Sequence, residues 1–369
     1  MRIKNPIALL FLISLMVLPL SGFASDTKEG GDFDPKELIN GHVWDSHEFH
    51  IADWNGQPIT LALPVILWAD NGLTVFSSSR FHHDNEGEHV VEANGHEFVR
   101  YNEHIFYADK FDKENFDSLS TMARPFLYDQ RPLDFSITKS VFSMFFSAVL
   151  IFLIFGFSAK AYSNSKKKKA PKGIAAFMEP LILFVRDDIA KPNVGSKYAK
   201  FTPFLLTIFF FIWINNMIGI IPFFPFSANL TGNIAFTFVM AFIVFIMVTF
   251  NGNKYYWKHV LAPPVPKALY PLMIPIEIIG MITKPFALMV RLFANITAGH
   301  IIILSLVGLI FIFGTVAVSP ISIIFVLFMS VLELLVAALQ AYVFTLLAAL
   351  FIGQAVEEHH HGVDEEIII

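Results

Sequence analysis

The residues best suited to chemistry lie in one apolar stretch, residues 271–314, where a polar side chain is out of place. Five such side chains occur there: Glu277, Lys284, Arg291, Asn295 and His300. A charged side chain at the centre of a bilayer costs at least about 2.5–3.5 kcal/mol, so such residues are rare and usually functional. Arg291 is the most costly, because a guanidinium group does not lose its proton inside a protein. The stretch therefore predicts a site that requires a permanent positive charge.

If the stretch is one helix, its polar side chains divide between two faces. Glu277, Lys284 and Arg291 are seven residues apart, and at about 100° per residue they drift by only about 20° per step. Asn295 follows Arg291 by four residues and lies on the same side. His300 follows Arg291 by nine residues and lies about 180° away. One face therefore presents Arg291 and Asn295, and the opposite face presents His300.

The last apolar segment, residues 319–353, repeats this pattern with Glu333 and Gln340, which are also seven residues apart. Two helices with polar stripes imply a shared polar site or an aqueous path through the bilayer. His300 and Glu333 could relay protons along it, because histidine titrates near neutral pH. Three small residues near Arg291 would permit close approach of another helix: Ala294, Ala298 and Gly299.

A structural interpretation stays open for some of these side chains. Glu277 and Lys284 could lie at the headgroup boundary or pair with each other. Asn295 and Gln340 could serve only to join helices through hydrogen bonds. Snorkelling of Arg291 to the interface is disfavoured, because the residue lies about twenty positions from the inner end of the stretch.

Membrane-spanning helices are the elements that must position these residues. The chain has 369 residues, 55% of them hydrophobic and 15% charged, and a mean hydropathy of +0.58, which is typical of a polytopic membrane protein. It contains no cysteine, which excludes disulfides and thiolate chemistry. Five spans are predicted, at residues 138–159, 203–221, 234–250, 271–314 and 319–353. The last two are longer than the roughly 20 residues that a bilayer core requires, so we expect both to tilt strongly.

Lysine and arginine positions predict how these spans are oriented. The loop at residues 160–202 contains ten Lys and Arg, including the run Lys166–Lys169, and the loop at residues 251–270 contains three. The loops at residues 223–233 and 313–318 contain none. By the positive-inside rule, the N-terminal part lies outside the cytoplasm and the C-terminus inside. The lysine run is accordingly a topology signal rather than a nucleic-acid site.

Residues 173–189 are apolar but too interrupted to span a membrane. Four residues break the run: Glu179, Pro180, Arg186 and Asp187. We expect this segment to form an amphipathic helix that lies on the inner membrane surface.

The first 24 residues have the composition of a secretory signal peptide. Arg2 and Lys4 form a basic start, an apolar run follows, and Gly22 and Ala24 precede a plausible cleavage site. An uncleaved anchor helix is the alternative. Cleavage is favoured because the apolar run is short and polar sequence follows it.

Residues 25–133 are predicted to form a small β-rich extracytoplasmic domain, and residues 134–369 the membrane domain. Alternating stretches such as LTVFSSS and HEFVRYNEHIFYA indicate short strands, and Asn55-Gly56, Asn71-Gly72 and Asn94-Gly95 indicate turns. Eight histidines occur in the domain: His42, His47, His50, His82, His83, His89, His96 and His104. Their spacing matches no established ligand pattern, so a solvated polar face is favoured over a metal site, and no metal is assigned.

Two motifs carry a resemblance to a known family. Lys284-Pro285 followed by VRLFANITAGH resembles the signature of subunit a of F-type ATP synthases, and LQAYVFTLLAALFI resembles the last helix of that family. The resemblance covers about residues 130–360. It implies a non-catalytic stator subunit in a bacterial inner membrane, without a cofactor, that carries protons or sodium ions between two aqueous half-channels and a rotating ring of subunit c. Its partners would be that ring, subunit b of the peripheral stalk and the rest of the synthase.

The resemblance also implies roles for single residues. Arg291 would be the essential arginine opposite the ring, with Asn295, Gly299 and Gln340 lining or packing around the site. Glu277 matches an acidic residue near the inner half-channel. His300 and Glu333 would form a proton-relaying pair. Asn216 and Pro222 match the first hairpin of the family, and in that hairpin Gly219 stands where some bacterial members have an Asp. The N-terminal domain departs from the common pattern of the family.

Two other classes of protein would also place charges or histidines as this chain does. A secondary transporter or channel acting alone shares intramembrane charges, although the sequence shows no internal repeat or pair of broken helices. A membrane-anchored sensor would use the His-rich domain. The sequence contains no G-x-x-x-x-G-K-[ST] run, so any nucleotide chemistry would belong to partner subunits.

Overall fold

The structure is a computed structural model that describes residues 45–54, 57–118, 130–163, 173–221, 228–263, 265–313 and 319–357. The predicted signal peptide, His42, the Asn55-Gly56 turn and Pro222 lie outside the described residues. The chain divides into two compact units. The first comprises Met1–Phe146, Ile218–Asn229 and His300–Ser330, and the second comprises Ser147–Met217, Leu230–Gly299 and Val331–Ile369.

The N-terminal region of the first unit is built from short antiparallel strands, which confirms the predicted β-rich region. One sheet pairs β1 (Glu48–Trp54) with β2 (Gln57–Ala62). A second has the order β4 (Gly72–Ser77), β3 (Pro64–Ala69), β8 (Leu133–Asp134). A third has the order β5 (Val91–Ala93), β6 (His96–Tyr101), β7 (His104–Tyr107), and a short helix, α1 (Lys113–Ser118), follows it.

Two of the hairpin loops are two residues long and have positive φ at both positions, as a type I′ turn requires. Asn94 and Gly95 join β5 to β6, with φ of 52° and 77°. Asn102 and Glu103 join β6 to β7, with φ of 49° and 62°. The first turn is one of the predicted Asn-Gly turns. The second has no sequence signal of that kind, because glutamate rarely adopts a positive φ.

The first membrane helix, α2 (Lys139–Ser163), begins against this β region. The Lys139 amide donates to the Ser46 carbonyl at 2.9 Å, and the Ser140 amide donates to Asp45 Oδ1 at 2.9 Å. The Phe49 and Phe142 rings pack edge to face, with centroids 5.3 Å apart. A carboxylate at a helix N-terminus accepts orphan amide hydrogens and complements the helix dipole, so Asp45 stabilises the start of α2.

The described part of the chain contains five helices or helical runs long and apolar enough to cross a membrane, which confirms a polytopic, mostly helical protein. Besides α2, the helices are α3 (Ile174–Phe184), α4 (Lys191–Val194), α5 (Tyr198–Ile220), α6 (Ile234–Asn251), α7 (Lys254–Leu261), α8 (Tyr270–Phe313) and α9 (Ser319–Val356). The starts and ends of the five spans lie within about five residues of the predicted ones, because the length of an apolar run sets them. The strong tilt of α8 and α9 stays a prediction.

The segment predicted to lie on the inner surface forms α3 and continues through a π-helical turn, Val185–Ala190, into α4. Gly195, with a φ of 69°, then breaks the helical run before α5. Met178 and Ile189 are buried in the same apolar cluster as Phe201. The location of α3 on the membrane surface stays a prediction.

The second unit has an apolar core made by α5, α6, α8 and α9. Buried side chains from these helices include Leu205, Val244, Leu288, Leu292 and Phe344. Near its C-terminus α9 approaches α4 so closely that a β-carbon at Gly353 would overlap the Asn193 carbonyl oxygen. The apolar core packs α8 against α9, and these two helices carry most of the predicted site residues.

Candidate ion-translocation site

Polar side chains join α8 and α9 along a line that we call the α8–α9 seam. Asn295 Nδ2 donates to Gln340 Oε1 at 2.9 Å. One turn further along α8, a β-carbon at Gly299 would lie 3.7 Å from Glu333 Oε1, so the helix backbone lies against that carboxylate. Glu333 and Gln340 are both buried. Residue numbers rise along α8 while they fall along α9, so the two helices are antiparallel here.

A third pair extends the seam toward the start of α8. Lys284 Nζ donates to Gln354 Oε1 at 2.9 Å and lies 5.6 Å from the centroid of the Phe351 ring. From Lys284 to Gly299 the helix advances about 22 Å. Because the core of a bilayer is about 30 Å thick, the seam places polar groups across most of that thickness.

Arg291 lies at the middle of α8, and its side chain is exposed. Another side of the same helix is buried and carries Leu288, Leu292 and Ile296. Among the described residues it makes no hydrogen bond, ion pair or ring contact. Its neighbours on the exposed side include small, exposed residues: Ala287, Ala294 and Ala298. A guanidinium group cannot remain unpaired in a bilayer at low cost, so this face of α8 is suited to a partner that carries an anion.

α5 carries two neighbouring asparagines, and one of them contacts α9. Asn216 Nδ2 donates to the Ala337 carbonyl at 2.9 Å, between Glu333 and Gln340 in the sequence of α9. Asn215 Nδ2 donates to the Phe211 carbonyl of its own helix at 2.7 Å. Both side chains are buried, and within the described part of the chain neither amide oxygen has a hydrogen-bond donor. Asn216 thus joins α5 to α9 through a buried hydrogen bond.

Glu277 and Lys284 do not pair with each other, which was one structural interpretation of their spacing. Glu277 lies 4.0 Å from the His259 imidazole of α7, and Lys284 is bonded to Gln354. Lys284 and Gln354 also line a small open depression together with Tyr256, Phe351 and other side chains. This end of α8 therefore combines ionisable groups with access from outside the protein.

Comparison with known proteins gives the context of this arrangement. The family described as "ATP synthase A chain" matches residues 141–353. The chain belongs to that family. Two curated proteins named "ATP synthase subunit a" are similar to it. The one from Chloroherpeton thalassium is 47% identical over 62% of this chain and 69% of the relative. The one from Myxococcus xanthus is 43% identical over 63% of this chain and 77% of the relative. "ATP synthase subunit a 2" of Chlorobaculum tepidum is 45% identical over 63% of this chain and 67% of the relative.

Membership in the ATP synthase A chain family has direct consequences. The chain is a non-catalytic, ion-conducting subunit of the membrane sector and not an enzyme by itself. Its five apolar helices belong to a multi-pass protein of the bacterial plasma membrane. Residues 38–135 match a different family, described as a domain of unknown function. The match to the ATP synthase A chain family begins after it, so the β region is an addition to the ATP synthase part.

Two residues predicted from the resemblance to this ATP synthase family lie in the first unit. His300 is half-buried, and its predicted pairing with Glu333 stays a prediction. Gly219 lies near the end of α5, where a β-carbon would be 3.4 Å from the Ala228 carbonyl oxygen and from Asn229 Cα. That contact is tighter than most, so the position leaves little room for the Asp of other members.

Sequence reasoning missed three residues that contact the predicted site. Gln354 follows Gln340 by fourteen residues, twice the spacing of Glu333 and Gln340, and this multiple of seven could have revealed it. Asn215 directly precedes Asn216 and carries the same signal. His259 lies in a basic loop and has no pattern that distinguishes it.

The histidines of the β region are not one solvated face. His82 and His83 are exposed, but His47 is buried and lies 3.3 Å from Asp134 Oδ2. No group of three or more His, Asp or Glu suited to a metal ion occurs in the described ranges. Burial alone would raise the pKa of Asp134, but hydrogen bonds from His47 and Ser136 outweigh it and hold the pKa below its usual value.

Proposed function

We propose that the chain is the proton-translocating stator subunit of an F-type ATP synthase, in which Arg291 faces the c-ring between two aqueous half-channels. One observation carries the proposal: Arg291 is exposed at the middle of α8, and no described residue pairs with it. The small residues around it, Ala287, Ala294 and Ala298, would let a ring helix approach closely.

The chemistry follows from electrostatics at that position. A ring carboxylate arrives from the lipid in its protonated form and meets the guanidinium group of Arg291. A nearby cation favours the ionised carboxylate and lowers its pKa, so the proton leaves through one half-channel. The carboxylate then reloads from the other half-channel. Arg291 separates the two, because a fixed cation repels a hydrated proton in a medium of low dielectric constant. A potential of 100 mV supplies about 2.3 kcal/mol per charge.

The polar groups of α8 and α9 supply the two paths in this proposal. On the side of Gly299, His300 and Glu333 relay protons, with Asn295 and Gln340 holding the helices and lining the path. At the other end of α8, Glu277 and Lys284 lie near the depression, which serves as the mouth of the second path. The Lys and Arg distribution places this mouth at the cytoplasm.

The assembly and the topology form the remaining part of the proposal. The c-ring, subunit b of the peripheral stalk and the other synthase subunits are the partners. Residues 1–24 are a cleaved signal peptide, and residues 25–133 lie outside the cytoplasm with the C-terminus inside. The absence of any positively charged residue from the two predicted outer loops supports this orientation.

Replacement of Arg291 tests the central claim. We expect Arg291→Ala to abolish ATP-driven proton pumping in vesicles while the variant still copurifies with the c-ring and the soluble ATPase. Arg186→Ala is the matched control, because Arg186 is an arginine of the same chain whose guanidinium pairs with Asp187 at 2.7 Å. We expect the control to pump normally.

Two outcomes would contradict the proposal. Pumping by Arg291→Ala at the rate of the control would remove the arginine from the mechanism. Isolation of the chain without a ring or ATPase would favour a transporter acting alone. Acidification of vesicles in the absence of sodium identifies the proton as the ion.

A further inference from the structure

The sheet formed by β4, β3 and β8 is apolar on both faces. Its inner face packs Val65, Leu67 and Phe76 into the core of the β region. Its outer face, which we call the apolar sheet face, presents five side chains that are 56–63% exposed: Trp68, Leu73, Val75, Leu133 and Phe135. A sheet with one solvated face ordinarily alternates apolar and polar residues. The outer face of this sheet is therefore built for contact with something other than water.

The strand register shows that these side chains form one patch. Trp68 is paired with Leu73 on one side and with Leu133 on the other, and directly paired residues project to the same face. Val75 is paired with Ile66, two residues before Trp68. Phe135 donates its amide hydrogen to the Ile66 carbonyl at 2.8 Å, which places it in the same row as Val75.

The apolar sheet face is held next to the start of a membrane helix. Phe135 precedes Lys139, the first residue of α2, by four residues, so at most about 14 Å of chain separates them. The Ile137 amide donates to the Pro64 carbonyl at 3.1 Å, and the Lys139 amide donates to the Ser46 carbonyl. The first bond attaches the chain just before α2 to β3, the strand that carries Trp68, and the second attaches the first residue of α2 to the segment before β1. The patch cannot move away from the membrane without breaking them.

The exposed apolar surface continues from the sheet into α2. Phe145 is 59% exposed, and most of the apolar window of α2 is exposed in the same way. A helix of this composition faces lipid. On the outward positions of β3, β4 and β8, Ser77 is the one polar side chain. A protein interface of ordinary composition carries about one hydrogen bond per 100–200 Å², so this face has too few polar groups for such an interface. A tryptophan such as Trp68 beside a membrane helix is typical of the lipid headgroup region.

We propose that the apolar sheet face lies on the lipid surface of the leaflet that α2 enters, with its side chains inserted at the boundary between headgroups and acyl chains. The β region would then be a membrane-surface domain and not a domain held away in solution. Insertion removes exposed apolar area from water, which stabilises the contact. The proposal concerns a part of the chain outside the ATP synthase match, so it does not depend on the role of Arg291.

Spin labels can test this contact in the assembled synthase, because the chain contains no cysteine. Single variants Val75→Cys and Leu133→Cys place a nitroxide on the apolar sheet face. Glu97→Cys is the matched control, since Glu97 is an exposed position on β6 of another sheet in the same region. The labelled complexes are reconstituted into phosphatidylcholine and phosphatidylglycerol vesicles. The unsubstituted complex, treated identically, gives the background from other subunits.

Collision of each label with oxygen, which concentrates in lipid, is compared with collision with a water-soluble nickel chelate. We expect the ratio of oxygen to nickel collisions at positions 75 and 133 to exceed that at position 97 several-fold. Equal ratios at all three positions would overturn the proposal, because the face would then lie in water. Protection of positions 75 and 133 from both reagents would also overturn it, because protein would then cover the face. ATP-driven pumping verifies assembly of each variant, and Leu73→Cys replaces any that fails.

Discussion

The molecule contains two arginines in opposite situations, and the comparison between their surroundings is instructive. In the β region, Arg100 is 1% exposed, bonded through Nη2 to Glu48 Oε1 at 3.0 Å and through Nε to the Asp84 carbonyl at 2.7 Å. In the membrane helices, Arg291 is exposed, and no described residue pairs with it. Within the part of the chain that the structure describes, Arg100 has a counter-ion and Arg291 has none.

The same physical rule explains both arrangements. A guanidinium group keeps its charge in any protein environment, so a counter-ion must accompany it out of water. In the β region Glu48 has that role and also accepts a hydrogen bond from His83 Nδ1 at 2.8 Å, which completes a closed cluster. In α8 no residue of the described ranges supplies a counter-ion to Arg291. Arg100 with its own counter-ion is thus a structural element, whereas the role of Arg291 toward another subunit stays the proposal made above.

The largest effect on stability is expected for Arg100→Ala. The substitution leaves the Glu48 carboxylate without its main partner in a largely buried place, and breaking a buried ion pair costs about 3–5 kcal/mol. The urea dependence of hydrogen exchange at the amides of β6 and β7, measured by mass spectrometry on the purified chain, gives the change in the free energy of unfolding. We expect ATP-driven pumping per assembled complex to persist.

Arg80→Ala is the matched control for this substitution. Arg80 is exposed and donates to the Glu92 carbonyl at 2.6 Å, so its loss should lower the free energy of unfolding by less than about 1 kcal/mol. If Arg100→Ala destabilised the region no more than Arg80→Ala does, the closed cluster would not be the structural element described above. Loss of pumping by Arg100→Ala while the β region stays folded would also contradict the comparison, because Arg100 would then not be a purely structural element.

A smaller, pH-dependent effect is expected for Asp134→Asn. The lowered pKa of Asp134 means that its ionised form stabilises the fold above the unfolded pKa, about 3.9, and that this contribution is lost as pH falls through the folded pKa. Because the side chain is 36% exposed, we expect a loss of only about 1 kcal/mol at pH 7. The difference between wild type and variant should shrink below about pH 4.

Hydrogen exchange in urea at pH 7 and at pH 4 measures this difference. Asp109→Asn is the control, because Asp109 is exposed on the surface of the same region. A difference between Asp134→Asn and wild type that grows as the pH falls would show that the carboxylate does not stabilise the fold through its charge.

The sequence predicts the two regions unequally well. Membrane helices were located within a few residues because a bilayer imposes a minimum apolar length. Arg291, Asn295, Glu333 and Gln340 stand out in the sequence because polar groups are exceptional in such runs, and their role in ion transport stays a prediction. The partners across the seam were not predictable from spacing alone, since the pairing of Lys284 with Gln354 depends on the register of two antiparallel helices.

In the β region the important contacts join residues distant in the chain. His47 and Asp134 are 87 residues apart, and Glu48 and Arg100 are 52 apart. Composition and alternation predict strands, but they do not specify which strands pair or which polar side chains become buried. For this reason the histidines were interpreted as a solvated face, whereas His47 belongs to a buried pair.

The smallest expected effect concerns the α8–α9 seam. Here we expect slower pumping without a loss of stability, the reverse of the result expected for Arg100→Ala. Gln340→Leu removes the acceptor of Asn295 Nδ2, a hydrogen bond worth about 0.5–1.5 kcal/mol. If the bond orders the ion path, pumping should slow about two- to tenfold. Stability should not fall, because Gln340 Nε2 is buried without an acceptor among the described residues, and leucine removes that cost.

Thr345→Val is the matched control on α9, since the Thr345 hydroxyl donates only to the Ala341 carbonyl of its own helix. Asn295→Ala alone and combined with Gln340→Leu completes a double-mutant cycle of pumping rates. If the two side chains act through their mutual bond, the double variant should pump about as fast as either single variant. Fully additive losses would show that Asn295 and Gln340 act independently, and the seam would then be two sites instead of one path.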